Sequence, residues 1–146
     1  QNVGLIAEAQ GDFGTALAEF RQCVTARERL CEAVPDSTTL KRDLAYIDKR
    51  LAWVLATCPD DELRDGESAV RHGERGCELT DFQQTDALER LAAAYAEAGD
   101  FAKATETQKK AIANETDVTA KAEMGLRLLQ YVARKPYRTP VPSGDE

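Results

Sequence analysis

From Leu88 to Ile112 the apolar positions recur at helical spacing with a single interruption. Leu88, Leu91, Ala92 and Tyr95 fall on one face of a first helix, and Phe101, Ala104 and Ala111 continue the pattern on a second beyond Gly99-Asp100. Small residues at Ala92, Ala104 and Ala111 let two helix axes approach closely, while Leu91, Tyr95 and Phe101 fill the space around them. The glycine suits the turn and the aspartate suits the start of the next helix. The same signature stands near the beginning of the chain, where Gly11-Asp12-Phe13 with Ala16 follows Val3, Gly4 and Ala7 and precedes Phe20. Between these units Leu51, Ala52 and Leu55 line one helical face, and Ala69 and Gly76 give its neighbour a small-residue side. Pro59 predicts the end of the first of these helices and opens a long turn from Thr57 to Gly66. A helix from Asp12 to about Val34 is predicted to stop at Pro35-Asp36. A last helix, from about Asp117 to Ala133, carries Ala120, Met124, Leu128 and Tyr131 as an apolar stripe with Lys121, Arg127 and Arg134 outside it. Pro136 ends it, and the residues from Thr139 on, rich in Pro with Ser and Gly, read as an extended or mobile tail.

These units resemble tetratricopeptide (TPR) repeats, in which leucine, a small residue and tyrosine mark the first helix and an aromatic with two alanines marks the second. Gly11, Phe13, Ala16, Leu91, Ala92, Tyr95, Gly99, Phe101, Ala104 and Ala111 are the positions that carry the resemblance. Cys23 replaces the second small residue of the first unit, and Gly73 replaces the aromatic of the middle one, so the space beside Gly73 must be filled from elsewhere. The resemblance implies an all-α chain: a TPR-like right-handed superhelix of about three antiparallel helix pairs plus a C-terminal capping helix. It divides a single domain, 1-136, into units of about 1-36, 37-80 and 81-116 and a cap at 117-134, and it leaves 137-146 as a flexible tail. The two Gly-Asp-Phe turns lie further apart than two periods of about 34 residues. Such expanded repeats are similar to those of kinesin-light-chain type and to bacterial TPR tracts appended to serine/threonine kinases.

Composition narrows the function classes. Apolar residues make up 42% and charged ones 31%, which excludes a chain disordered by composition, and no apolar run spans a bilayer. A net charge of −7 opposes phosphate neutralisation, so nucleic acid is not the expected partner. Cys23, Cys31, Cys58 and Cys77 show no C-x-x-C spacing; Cys58 and Cys77 should lie about 15 Å apart along antiparallel helices. Reduced thiols and a cytoplasmic location are expected. The chain opens at Gln1 inside a repeat and is expected to be a piece of a longer polypeptide.

Catalytic chemistry finds little support. His72 is the single histidine; Ser68 shares its helical face, but nothing in the sequence orients a third group behind the pair, and a solvent-facing histidine is expected. Glu62, Glu67 and Glu74 read as exposed charge, and no phosphate-cradling glycine motif is present. No enzyme, metal or cofactor is expected. In TPR arrays the first helix of each repeat lines a concave groove, and that register nominates Leu5 and Glu8, then Tyr46, Lys49, Arg50 and Trp53, then Asp86, Glu89, Arg90, Ala93 and Glu97. Tyr46 to Trp53 combines aromatic area with two cations, a composition enriched at binding hot spots. The chaperone-tail clamp of the family is disfavoured, because Gln1, Leu5, Arg50 and Asp86 depart from its pattern and only Arg90 agrees. The implied role is a protein-binding scaffold that holds a peptide or helix of another protein in the groove. The alternative is self-association, as a homodimer, or docking within a larger protein such as a bacterial kinase.

Overall fold

The computed structural model describes residues 3–141; Gln1, Asn2 and residues 142–146 lie outside the described residues. Seven α-helices follow one another, with no strand among the described residues: α1 (Val3–Ala9), α2 (Phe13–Ala33), α3 (Thr38–Thr57), α4 (Gly66–Glu78), α5 (Thr85–Glu97), α6 (Phe101–Asn114) and α7 (Val118–Val132). A 3-10 turn at Asp61–Leu63 interrupts the long connection after α3.

Local chemistry sets these boundaries. Five helices begin where an Asp or Ser side chain accepts a backbone N–H, satisfying a donor the helix cannot satisfy itself: Asp12 from Thr15, Ser37 from Leu40, Asp65 from Ser68, Asp100 from Lys103 and Asp117 from Ala120. Part of the acidic excess is thus spent on capping. Gly11 and Gly99 hold φ of 78° and 85°, the left-handed region that glycine enters without strain, and each is followed by a capping aspartate. The helix expected to reach Val34 ends at Ala33 with Val34 as its cap, and α3 stops one residue before Cys58-Pro59.

Consecutive helices pack as hairpins, α1 on α2, α3 on α4 and α5 on α6, and the pairs join through α2 on α3 and through α5 against both α3 and α4. One apolar cluster runs from Ala7, Phe13 and Phe20 through Leu44, Leu51 and Leu55 to Ala93 and Ala94. Ala93 therefore lies in this core and does not line a groove. A second gathers Leu88, Leu91, Ala111 and Met124, and a third joins Ala92, Ala96 and Ala104 to Tyr131. The space beside Gly73 is filled by Leu91, whose Cδ1 would stand 3.2 Å from a Cβ built there. Because Ala104 is fully buried where α5, α6 and α7 meet, Ala104→Leu is expected to overpack the joint and cost about 1 to 3 kcal/mol, read as a lower thermal midpoint. An unchanged midpoint would show that the joint has slack.

Two expectations about the C-terminal part are corrected. The helix α7 buries Met124 and Tyr131 as its stripe predicts, but Arg127 turns inward to pair with Glu89 of α5. Lys121 and Arg134 are exposed as expected, but apolar residues stand beside them: Val118, Leu126, Leu129 and Val132 are exposed, Leu126 by 65%. The tail expected to be mobile from residue 137 packs back on the body, because Tyr137, Arg138 and Thr139 each find a partner on α3, α5 or α7.

Candidate functional site

Tyr46, Lys49, Arg50 and Trp53 follow one another at i, i+3, i+4 and i+7 and so share one face of α3, opposite α5. The neighbouring helix presents Asp86, Glu89, Arg90 and Glu97. The structure brings these residues together through a chain of ion pairs. Lys49 Nζ lies 2.6 Å from Asp86 Oδ2 and donates to Gln84 Oε1 at 3.2 Å. Arg90 reaches the same Asp86 oxygen at 3.0 Å, and Arg50 donates to Glu8 Oε2 at 3.3 Å. Glu89 pairs with Arg127, and Glu97 with Arg64 at 3.2 Å. Lys49 and Arg50, nominated from sequence as groove residues, are both half-buried and engaged in ion pairs. Tyr46 stands clearest, 40% exposed, with Lys49 Nζ and the Arg50 guanidinium 5.5 and 5.6 Å from its ring centroid. Arg90 lies 6.0 Å from the Trp53 ring.

Asp86 is the electrostatic hub of this face. Partial burial pushes its carboxyl upward, but the Lys49 hydrogen bond and the charges of Lys49 and Arg90 outweigh that and leave it below the ordinary carboxylate range. A depressed folded-state value means that its contribution to stability is present above the unfolded value of about 4 and is lost as the pH falls through the folded one.

The far end of the face is covered by the chain's own C-terminal segment. Tyr137 packs on Trp53 with ring centroids 5.5 Å apart and planes tilted by 36°, and the Arg127 guanidinium lies 5.3 Å from the Tyr137 ring centroid. Arg138 Nη1 lies 2.6 Å from Glu97 Oε2 and donates to the Ala56 carbonyl at 3.3 Å. The Thr139 N–H donates to the Thr57 carbonyl at 2.8 Å, and the two threonine hydroxyls are also 2.8 Å apart. Its sequence signal is the Tyr-Arg-Thr triplet between Pro136 and Pro140, a composition that favours extended backbone.

A second constellation lies between α2, α3 and α4. Asp48 is fully buried and accepts two hydrogen bonds from Arg75, at 2.6 and 2.7 Å, and a third contact at 2.9 Å from His72 Nδ1. Arg75 also reaches Glu28 at 2.5 Å, and its hydrogen bonds to Asp48 hold the guanidinium more firmly protonated than usual. His72 is therefore not solvent-facing: an aspartate from the neighbouring helix orients it. Beside it opens a cleft of about 380 Å³ bordered by Arg21, Glu28, Ser68 and Arg71. The Ser68 hydroxyl donates to Asp65 Oδ2 at 2.7 Å as part of the helix cap, so Ser68 and His72 are not linked as nucleophile and base. Glu74, read from sequence as exposed, accepts a 2.7 Å hydrogen bond from the Tyr95 hydroxyl. The sequence did hold a sign of Asp48, which interrupts the apolar column of Leu44, Leu51 and Leu55.

Cys58 and Cys77 are buried, Cys23 and Cys31 half-buried, and all four are free thiols; burial pushes the Cys77 thiol up to about 12. Among the described residues no three His, Cys, Asp or Glu side chains gather as a metal site would require, and no helix is long and apolar enough to cross a membrane.

No protein-family model and no curated protein matches this sequence. The functional reading therefore rests on the residues and their geometry.

Proposed function

We propose that the chain is a TPR-like, non-catalytic binding module whose helix pairs wind as a right-handed superhelix and whose α3–α5 face holds an extended peptide of another protein. The observation that carries this reading is the way the face receives the chain's own residues 137–139. It engages them through one main-chain hydrogen bond, one aromatic stack and one ion pair, the mixture by which peptide-binding grooves combine affinity with selectivity. Tyr46, Trp53 and Arg90, which border the uncovered part, are of the residue types that dominate binding hot spots. The repeated glycine turns with positive φ and the alanine-lined helix joints support the TPR reading. The free thiols agree with work in the cytoplasm, and the negative net charge agrees with a protein partner over nucleic acid.

A second reading, self-association or docking onto another domain, is favoured by the exposed apolar side of α7, where Val118, Leu126, Leu129 and Val132 line up. One experiment separates the two. Peptides selected by phage display against the full chain, and then mapped by hydrogen exchange, are expected to protect α3 and α5. Failure to select any peptide, or protection confined to α7, would sink the groove reading. A stable dimer in light scattering that hides Leu126 and Leu129 would install the second.

A further inference from the structure

The C-terminal segment identifies the chemistry of the groove's partner. Resting on the reading of the α3–α5 face as a peptide groove, we propose that residues 136–140 are a built-in occupant of it. The external partner they stand in for is an extended peptide bearing an aromatic residue, an arginine and a hydroxyl residue in succession.

The arginine is the best-determined element of that order. α3 ends at Thr57 and α5 at Glu97, and neither carries a basic residue in its last turn. The unsatisfied carbonyls at such ends, and the negative pole of each helix dipole, favour a cation. The Glu97 carboxylate adds a full negative charge at the same place. Two guanidiniums answer it from outside these helices. Arg64 donates to the Cys58 carbonyl at 2.7 Å and to Glu97 at 3.2 Å. Arg138 takes the other carboxylate oxygen and the Ala56 carbonyl. Arg64 is fixed by the turn that follows α3, whereas Arg138 arrives on a segment attached only through α7.

The residue before Arg138 favours an aromatic side chain because it packs on the Trp53 ring, lies near the Arg127 guanidinium and rests on the cluster of Ala92, Ala96, Ala104 and Tyr131. The residue after it meets the face through a main-chain N–H, which asks only for an extended backbone, and through a hydroxyl opposite Thr57. Flanking prolines keep the segment extended and supply no N–H that the groove would have to satisfy. A turn through Arg134, with φ of 60°, delivers it from the end of α7. Three residues make all of these contacts, so the segment is displaceable. Tethering gives it an effective concentration on the order of millimolar, which an external peptide must overcome.

The test uses the full chain and a fluorescent octapeptide of residues 134–141, with binding read by anisotropy. Trp53 is the sole tryptophan, and its emission reports the Tyr137 stack. The intact chain is expected to bind the octapeptide weakly. The full-length double variant Tyr137→Ala with Arg138→Ala is expected to bind it at least tenfold more tightly, with unchanged helicity by circular dichroism. Arg138→Glu alone, which leaves the aromatic stack available, should also tighten binding. The octapeptide carrying Arg138→Glu should bind none of these chains. Equal affinity of the intact chain and the folded double variant for the octapeptide would overturn the proposal. If display-selected peptides protect α3 and α5 while the octapeptide does not bind the double variant, the partner chemistry falls and the groove reading survives. If neither binds, both fall.

Discussion

Asp48→Ala is expected to lower the unfolding free energy by about 3 kcal/mol, the low end of what breaking a buried ion pair costs. The low end applies because the partner left behind is not stranded: the Arg75 side chain is 32% exposed and keeps Glu28. The loss is still large, since Asp48 itself has no access to solvent and its two oxygens satisfy both Arg75 and His72. Removing it deprives three hydrogen-bonding groups of their acceptor and opens a gap between α3 and α4. Glu28→Gln, by contrast, should cost under about 1 kcal/mol, because Glu28 is 39% exposed and water can replace it. Urea unfolding of the two variants beside the parent measures both. Equal midpoints for Asp48→Ala and the parent would mean that the buried carboxylate contributes nothing net.

This cluster also marks the limit of what the sequence discloses. Helix boundaries depend on neighbours in the chain, and they are legible: Asp12, Asp100 and Asp117 cap the helices that follow, and Pro59 and Pro35 stand just past helix ends. Shared faces are legible too, since Tyr46, Lys49, Arg50 and Trp53 follow from spacing alone. Partners across the fold are a different matter. The pairing of His72 with Asp48 depends on the relative rotation of α3 and α4, which no local pattern encodes, and an isolated helical histidine is read as solvent-facing. Asp48 within a leucine column was the available clue, because a carboxylate is buried there only if cations meet it. The contacts of residues 137–139 are illegible for a related reason. The proline-rich composition describes an extended backbone, but the partners of residues 137–139 are Trp53, Thr57 and Glu97, far away in sequence.

Tyr131→Ala is expected to cost about 3 to 5 kcal/mol, while Tyr131→Phe should be neutral or stabilising by up to about 1 kcal/mol. The contrast follows from what the side chain does. Its ring is fully buried against Ala92, Ala96 and Ala104, so truncation leaves a void that small, backbone-anchored alanines cannot collapse to fill. Its hydroxyl, equally buried, finds no hydrogen-bond partner among the described residues, and replacing it by hydrogen removes an unsatisfied polar group. Burial also holds the phenol far above its ordinary range, so no ionisation near neutral pH complicates the comparison. Destabilisation by Phe as large as that by Ala would mean that the hydroxyl is satisfied by water. The alanine variant has a second consequence. Apart from Tyr131, α7 is held by Met124, by the Gln108 hydrogen bond to the Met124 carbonyl and by the Arg127–Glu89 pair, while its outer side has no cover. Losing Tyr131 should therefore speed hydrogen exchange in α7 before it affects α3. Because Tyr137 rests on the same alanine cluster, Trp53 emission should shift as the stack opens. Slow exchange in α7 together with unchanged Trp53 emission would show that α7 and the C-terminal segment are anchored independently of this ring.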